Sequence, residues 1–283
     1  MKHLCRYNTF ILEYSKPTRT QKISLEDAVR IYNEKCSDWD LHSEKQIWRG
    51  SSTSHKLFYI NPNENEYRKS VNTDGVYQSL LPHLKSWENA PRRDKSLIMS
   101  TSDFDAGAYN SDLFLMIPFN NSKIGICPYD DIWKSVDYMK ELTKVNYLSW
   151  EIIDYDINGF MKNNAPSNYI VMIDVLYNNP RKDWKYPLID IINDVIQSID
   201  NIPRNELILN ERDSVLKSWI SDYPNLKFSE FITMLFDFDK NGFKITSSRN
   251  QENLPRNREV WSDGEFLGIH SNFVNEFIEK LKS

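Results

Sequence analysis

Three short blocks of the chain gather residue types suited to chemistry on an anionic ligand. Trp48-Arg49-Gly50-Ser51 closes an apolar run. An arginine there, followed by a glycine that lets backbone approach closely, suits a phosphate or a carboxylate. Ser96-Leu97-Ile98-Met99 runs into Ser100-Thr101-Ser102 and then Asp103 to Tyr109, which brings three hydroxyls to one point. Asn257-Arg258-Glu259-Val260-Trp261-Ser262 leads to Asp263-Gly264, a hairpin-type turn signal, and on to Phe266-Leu267-Gly268-Ile269. Glu259 is the point at which the polar stretch Ser247 to Arg258 enters a strand. Each block alone also has a plainer reading: an ion-paired arginine beside a turn, a helix cap, a solvated charge at a strand end.

The elements that must position these residues are legible from periodicity. Ser24 with Asp27 three residues on reads as a capped start, and Leu25, Ala28, Val29, Ile31 and Tyr32 recur at helical spacing, which predicts a helix over about 24–36. Further apolar stripes predict helices within Tyr129 to Leu148, over Leu188 to Ile199 ending before Pro203, at Phe228 to Phe236, and at Asn272 to Leu281. Strand-like runs lie towards the two ends of the chain: 46–50, 96–100, 113–117, 243–245, 259–261 and 266–269. Helical material dominates roughly 130–240.

Composition narrows the function classes. Hydrophobic residues make up 40% of the 283, with eight Trp, fifteen Tyr and fourteen Phe, so a packed core is expected and wholesale disorder is not. A net charge of −5 disfavours a generic nucleic-acid coat, so any anionic ligand would rely on local positive groups. Cys5, Cys36 and Cys127 show no metal spacing, and the five histidines form no HExxH or triad pattern. Asp237 to Gly242 copies the opening of a calcium loop, but Ser248 stands where the bidentate Glu would be, so a polar turn is expected. Arg92, Arg93 and Lys95 read as a solvated basic loop. Met1 to Tyr14 is too weakly apolar for a signal peptide and the longest apolar run is strand-sized. The expectation is a soluble cytoplasmic protein without membrane partners.

Taken in order, the three blocks resemble the ADP-ribosyltransferase family of the Arg, Ser-Thr-Ser, Glu class. Arg49-Gly50 is similar to the arginine that ends that family's first strand. Leu97 to Ser102 is similar to its hydrophobic strand running into Ser-Thr-Ser, with Ala106 to Tyr109 as the small and aromatic stretch that follows. Leu113 to Pro118 and Lys123 to Ile126 match the next two strands, and Glu259-Val260-Trp261 with Phe266 to Ile269 the closing strand and hairpin. The resemblance covers about residues 45–127 and 243–270 and says nothing of 128–240. The chain departs from the family at Asn257, where Glu or Gln is usual, and in the long helical segment.

The resemblance implies an α+β fold: an ADP-ribosyltransferase-like split β-sheet core with an N-terminal helix and a large helical insertion. It would be a single domain over 1–283, its core at about 20–127 and 241–283 and its insertion at about 128–240. It implies NAD as substrate, no metal, and mono-ADP-ribosyl transfer to a macromolecular acceptor, protein ahead of nucleic acid. Glu259 would stabilise the oxocarbenium-like centre formed as the nicotinamide–ribose bond breaks. Ser100 would fix the ribose and orient Glu259, and Arg49 would grip the pyrophosphate. Gly50 would offer backbone to the nicotinamide amide, Thr101 and Ser102 would shape the turn behind Ser100, and Phe104 or Tyr109 would face the nicotinamide ring. Asn257, on the acceptor side, does not support transfer to arginine. Two alternatives stay open: NAD hydrolysis at the same site, and a binding or structural protein that keeps the fold without turnover.

Overall fold

A computed structural model describes residues 20–64, 80–110, 112–166, 188–210 and 213–283. They divide between two compact units, one within Met1–Arg68, Ala90–Ile132 and Phe243–Ser283, the other within Lys69–Asn89 and Trp133–Gly242. The fold class is α+β.

The first unit is built on an antiparallel sheet. Its strands are β1 (Gln21–Lys22), β2 (Trp48–Gly50), β3 (Leu57–Ile60), β4 (Leu97–Ser100), β5 (Leu113–Pro118), β6 (Lys123–Ile126), β7 (Lys244–Ser247), β8 (Glu259–Ser262) and β9 (Phe266–His270). They lie in the order β1-β3-β9-β5-β2-β4-β8-β6-β7. The expected split sheet is therefore one hydrogen-bonded series among the described residues. Its narrowest seam is between β2 and β4, where Trp48 and Ser100 form the sole registered pair.

Helix α1 (Leu25–Lys35) starts where Ser24 Oγ accepts the Asp27 amide at 3.0 Å, satisfying one of the free amides of its first turn. The C-terminal helix, labelled α8 below, spans Val274–Leu281, and its buried Phe277 meets Tyr32 of α1 edge-to-face at 5.9 Å. The apolar core of this unit includes Phe58, Phe114 and Met116 on one face of the sheet and Leu267 and Ile269 on the other. Helix α2 (Asp103–Gly107) is a single short turn capped by Ser102.

The second unit holds α3 (Asp137–Thr143), α4 (Trp150–Asn164), α5 (Leu188–Asp200), α6 (Ser214–Asp222) and α7 (Phe228–Leu235). Its core is aromatic: Phe160 lies 5.0 Å from Phe228, Trp219 5.4 Å from Phe228, and Trp150 5.3 Å from Phe236. Segment 80–89 belongs with it, since the Trp87 indole donates to the Phe236 carbonyl at 2.7 Å.

Helices expected at 24–36, 188–199, 228–236 and 272–281 appear within one or two residues of those bounds, the last opening with a short turn at Ser271–Phe273. The expected helix within Tyr129 to Leu148 is broken into a turn at Ile132–Lys134 and α3, which ends at Lys144 with φ 59°. Helices α4 and α6 are not visible from periodicity. On α4 the polar residues Asp154, Asp156 and Asn158 are buried among the apolar ones, so its inward face carries no clean apolar stripe.

Candidate functional site

The antiparallel registers bring the three sequence blocks to one end of three neighbouring strands. Trp48 pairs with Ser100, and Ser100 pairs with Glu259, so these three sit in one row across β2, β4 and β8. Arg49 is one residue further along β2, opposite Phe114 of β5. Strand alternation starts its side chain from the other face.

Arg49 is partly buried, and its Nη1 donates to the Ile98 carbonyl of β4. The guanidinium thus bridges the seam where backbone pairing is sparsest. Gly50 is required by the protein's own packing: a Cβ there would lie 2.5 Å from the Ala106 carbonyl oxygen and 2.7 Å from the Asn110 nitrogen. The close backbone approach expected at Gly50 is therefore made by the α2 turn.

The Ser-Thr-Ser segment is tied to the residue before Glu259. Thr101 N donates to the Arg258 carbonyl at 3.0 Å, and Arg258 N donates to Thr101 Oγ1 at 2.9 Å. Ser100 Oγ accepts the Ser102 amide at 3.0 Å and donates to the Arg258 carbonyl at 3.5 Å. Ser102 Oγ accepts the Asp105 amide at 3.1 Å and so caps α2. Thr101 and Ser102 shape this turn through those bonds. No hydrogen bond joins Ser100 to the Glu259 carboxylate among the described residues, so the expected orienting role of Ser100 has no counterpart in this geometry. Phe104 is 83% exposed on α2, Tyr109 is half-buried, and Asn257 is exposed with a left-handed φ of 53°.

The Glu259 carboxylate is held elsewhere. Oε1 accepts from Arg93 Nη2 at 2.5 Å and from the Cys127 thiol at 3.4 Å, while Oε2 accepts a long 3.4 Å bond from the Ile132 amide. The side chains of Arg93 and Glu259 are only 2% and 5% exposed. Burial, with the Glu259 charge next in effect, raises the Cys127 thiol well above its ordinary value and keeps it protonated as a donor.

Arg93 corrects the reading of a solvated basic loop. Its guanidinium lies 5.2 Å over the Trp261 ring, and its carbonyl accepts from Ser96 Oγ at 3.1 Å. The indole nitrogen of Trp261 donates to the Pro91 carbonyl at 2.9 Å, and the Arg92 amide donates to Asp263 at 3.0 Å. Segment 91–96 is therefore fastened along β8. Arg92 does remain at the surface, paired with Asp94. Sequence reasoning could not separate the two adjacent arginines, because the partner of Arg93 lies 166 positions away.

The loop leading to Glu259 is also docked. Gln251 accepts from the Asp40 amide at 2.9 Å and donates to the Lys45 carbonyl at 2.6 Å. Arg249 pairs with Asp38, and Arg256 with Glu44. These bonds join the segment before β2 to the segment before β8, so the approaches to Arg49 and Glu259 are held together.

The calcium-like stretch is a closed turn. Asp237 Oδ1 accepts the Lys240 amide at 2.9 Å, Asn241 Nδ2 donates to the Leu235 and Asp237 carbonyls, and Gly242 takes φ 79°. No group of three or more metal-ligating side chains occurs among the described residues, and no helix among them is long and apolar enough to cross a membrane. In comparisons with known proteins, no family model, no curated protein and no solved structure matches the chain.

Proposed function

We propose that the chain is an NAD-dependent ADP-ribosyltransferase acting at the β2, β4 and β8 strand ends. The observation that carries the reading is the placement of Arg49, Ser100 and Glu259 on three consecutive strands, with Ser100 and Glu259 directly opposite one another. Residues separated by 159 positions and drawn from unrelated blocks meet at one register.

The proposed reaction breaks the bond between the ribose C1′ and the nicotinamide nitrogen. The bonding electron pair leaves with nicotinamide, and C1′ becomes oxocarbenium-like. A carboxylate at Glu259 would stabilise that positive charge, and Arg49 would hold the pyrophosphate. An acceptor oxygen or nitrogen then bonds to C1′ and gives up its proton. With water in the acceptor's place, the same steps yield free ADP-ribose.

The test is incubation with labelled NAD and a cell lysate, comparing the parent with E259A. The expected result is label on protein that falls on the order of 10²–10³-fold in the variant. No NAD consumption by the parent refutes the reading. A second reading is a non-catalytic binding protein, and the enclosure of the Glu259 carboxylate by Arg93, Cys127 and the Ile132 amide favours it. NAD binding without turnover would decide for it.

A further inference from the structure

We propose that Arg93 is the positioning residue for Glu259: it holds Oε1, so that Oε2 is the oxygen presented to the substrate. The inference rests on the transferase reading above. Its grounds are geometric. The two carboxylate oxygens have unequal surroundings: Oε1 takes the Arg93 ion pair and the Cys127 thiol, while Oε2 takes a single long amide contact. Two donors on Oε1 and one long contact on Oε2 restrain the carboxylate and leave Oε2 the less engaged oxygen.

Arg93 is itself tied into the surrounding structure. Its guanidinium covers the Trp261 ring, its carbonyl accepts from Ser96, and its neighbours Pro91 and Arg92 are bonded to Trp261 of β8 and to Asp263 just after it. The base of the brace and the group it braces are thus built on one strand, β8, with Glu259 and Trp261 two residues apart on one face. A planar guanidinium suits this task better than an ammonium, because its donors are fixed in direction. Ser100, opposite Glu259 in the register, makes no bond to the carboxylate, which leaves the orienting role to Arg93.

The experiment measures NAD consumption, with kcat and KM resolved, for the parent and for R93K, R93M, E259Q and R93M/E259Q, with thermal unfolding recorded for each. The expected result is a loss in kcat of about 10²-fold in R93M with KM within about threefold of the parent. R93K recovers about tenfold of that loss, and R93M/E259Q is no slower than E259Q. If R93M keeps more than half of the parent's kcat while E259Q is inactive, Arg93 has no positioning role and the transferase reading stands. If R93M slows further a protein already lacking Glu259, Arg93 acts independently and the proposal is overturned. Should R93M not fold, R93K carries the test: a change in KM with kcat intact overturns it. A parent that consumes no NAD refutes the transferase reading itself, and the proposal with it.

Discussion

Removing Arg93 alone is expected to destabilise the protein far more than removing Arg93 and Glu259 together. Their side chains are 2% and 5% exposed with a 2.5 Å contact, so neither charge can be rescued by water when the other is lost. With charge centres about 4 Å apart and an effective dielectric of about 20, their attraction is about 4 kcal/mol. Breaking a buried pair from one side costs about 3–5 kcal/mol, whereas replacing both charges with apolar groups of similar volume is often close to neutral. R93M and E259L should therefore each cost about 3–5 kcal/mol, and R93M/E259L less than about 2 kcal/mol, a coupling of roughly 4 kcal/mol or more. The assay is urea unfolding of the full chain, read by near-UV circular dichroism and tryptophan fluorescence. A cost below about 1 kcal/mol for R93M, or single effects that simply add in the double variant, would refute the buried-pair argument.

Two further outcomes test the packing around the site and in the helical unit. A Cβ at Gly125 would lie 2.2 Å from the Trp261 ring, which is fixed by Pro91 and Arg93, so G125A should cost about 1–3 kcal/mol. Pairing it with W261L should cost less than the sum of the two single changes, as measured by denaturant unfolding. Asp156, buried between α4 and α6, has its carboxyl pushed up to about 6 by burial and by the nearby Asp213, against an ordinary value of 3.8. The Val215 amide, which donates to it at 3.3 Å, partly offsets this rise. The folded state then binds more protons than the unfolded state between those values, so stability is fully present below about pH 4 and falls as pH rises through about 6. The loss amounts to about 3 kcal/mol by pH 7. D156N, which cannot ionise, should remove that slope between pH 4.5 and 7, and an unchanged slope would refute the assignment.

Much of the scaffold was legible because it follows local rules. The capped start at Ser24 and the apolar stripe of α5 each depend on residues a few positions apart. The same holds for the strand ends that carry Arg49, Ser100 and Glu259. The hairpin expected at Asp263-Gly264, by contrast, does not form, because β8 pairs with β4 and β6 while β9 pairs with β3 and β5. Helix α4 escaped because Asp154, Asp156 and Asn158 are buried on it, and β3 because a four-residue apolar run carries little periodic signal.

Sequence order alone determined which residues could meet: an arginine and a glycine after one strand, three hydroxyls after another, and a glutamate entering a third. Tertiary structure decided what each of them touches. Gly50 yields to the α2 turn, Arg49 reaches the Ile98 carbonyl, the hydroxyls of Ser100 and Thr101 bond to Arg258, and Glu259 turns to an arginine that looked solvated. The physical reason is separation. Whether an arginine is a surface charge or a buried brace depends on the strand that packs against it, and here that strand follows more than 160 residues later.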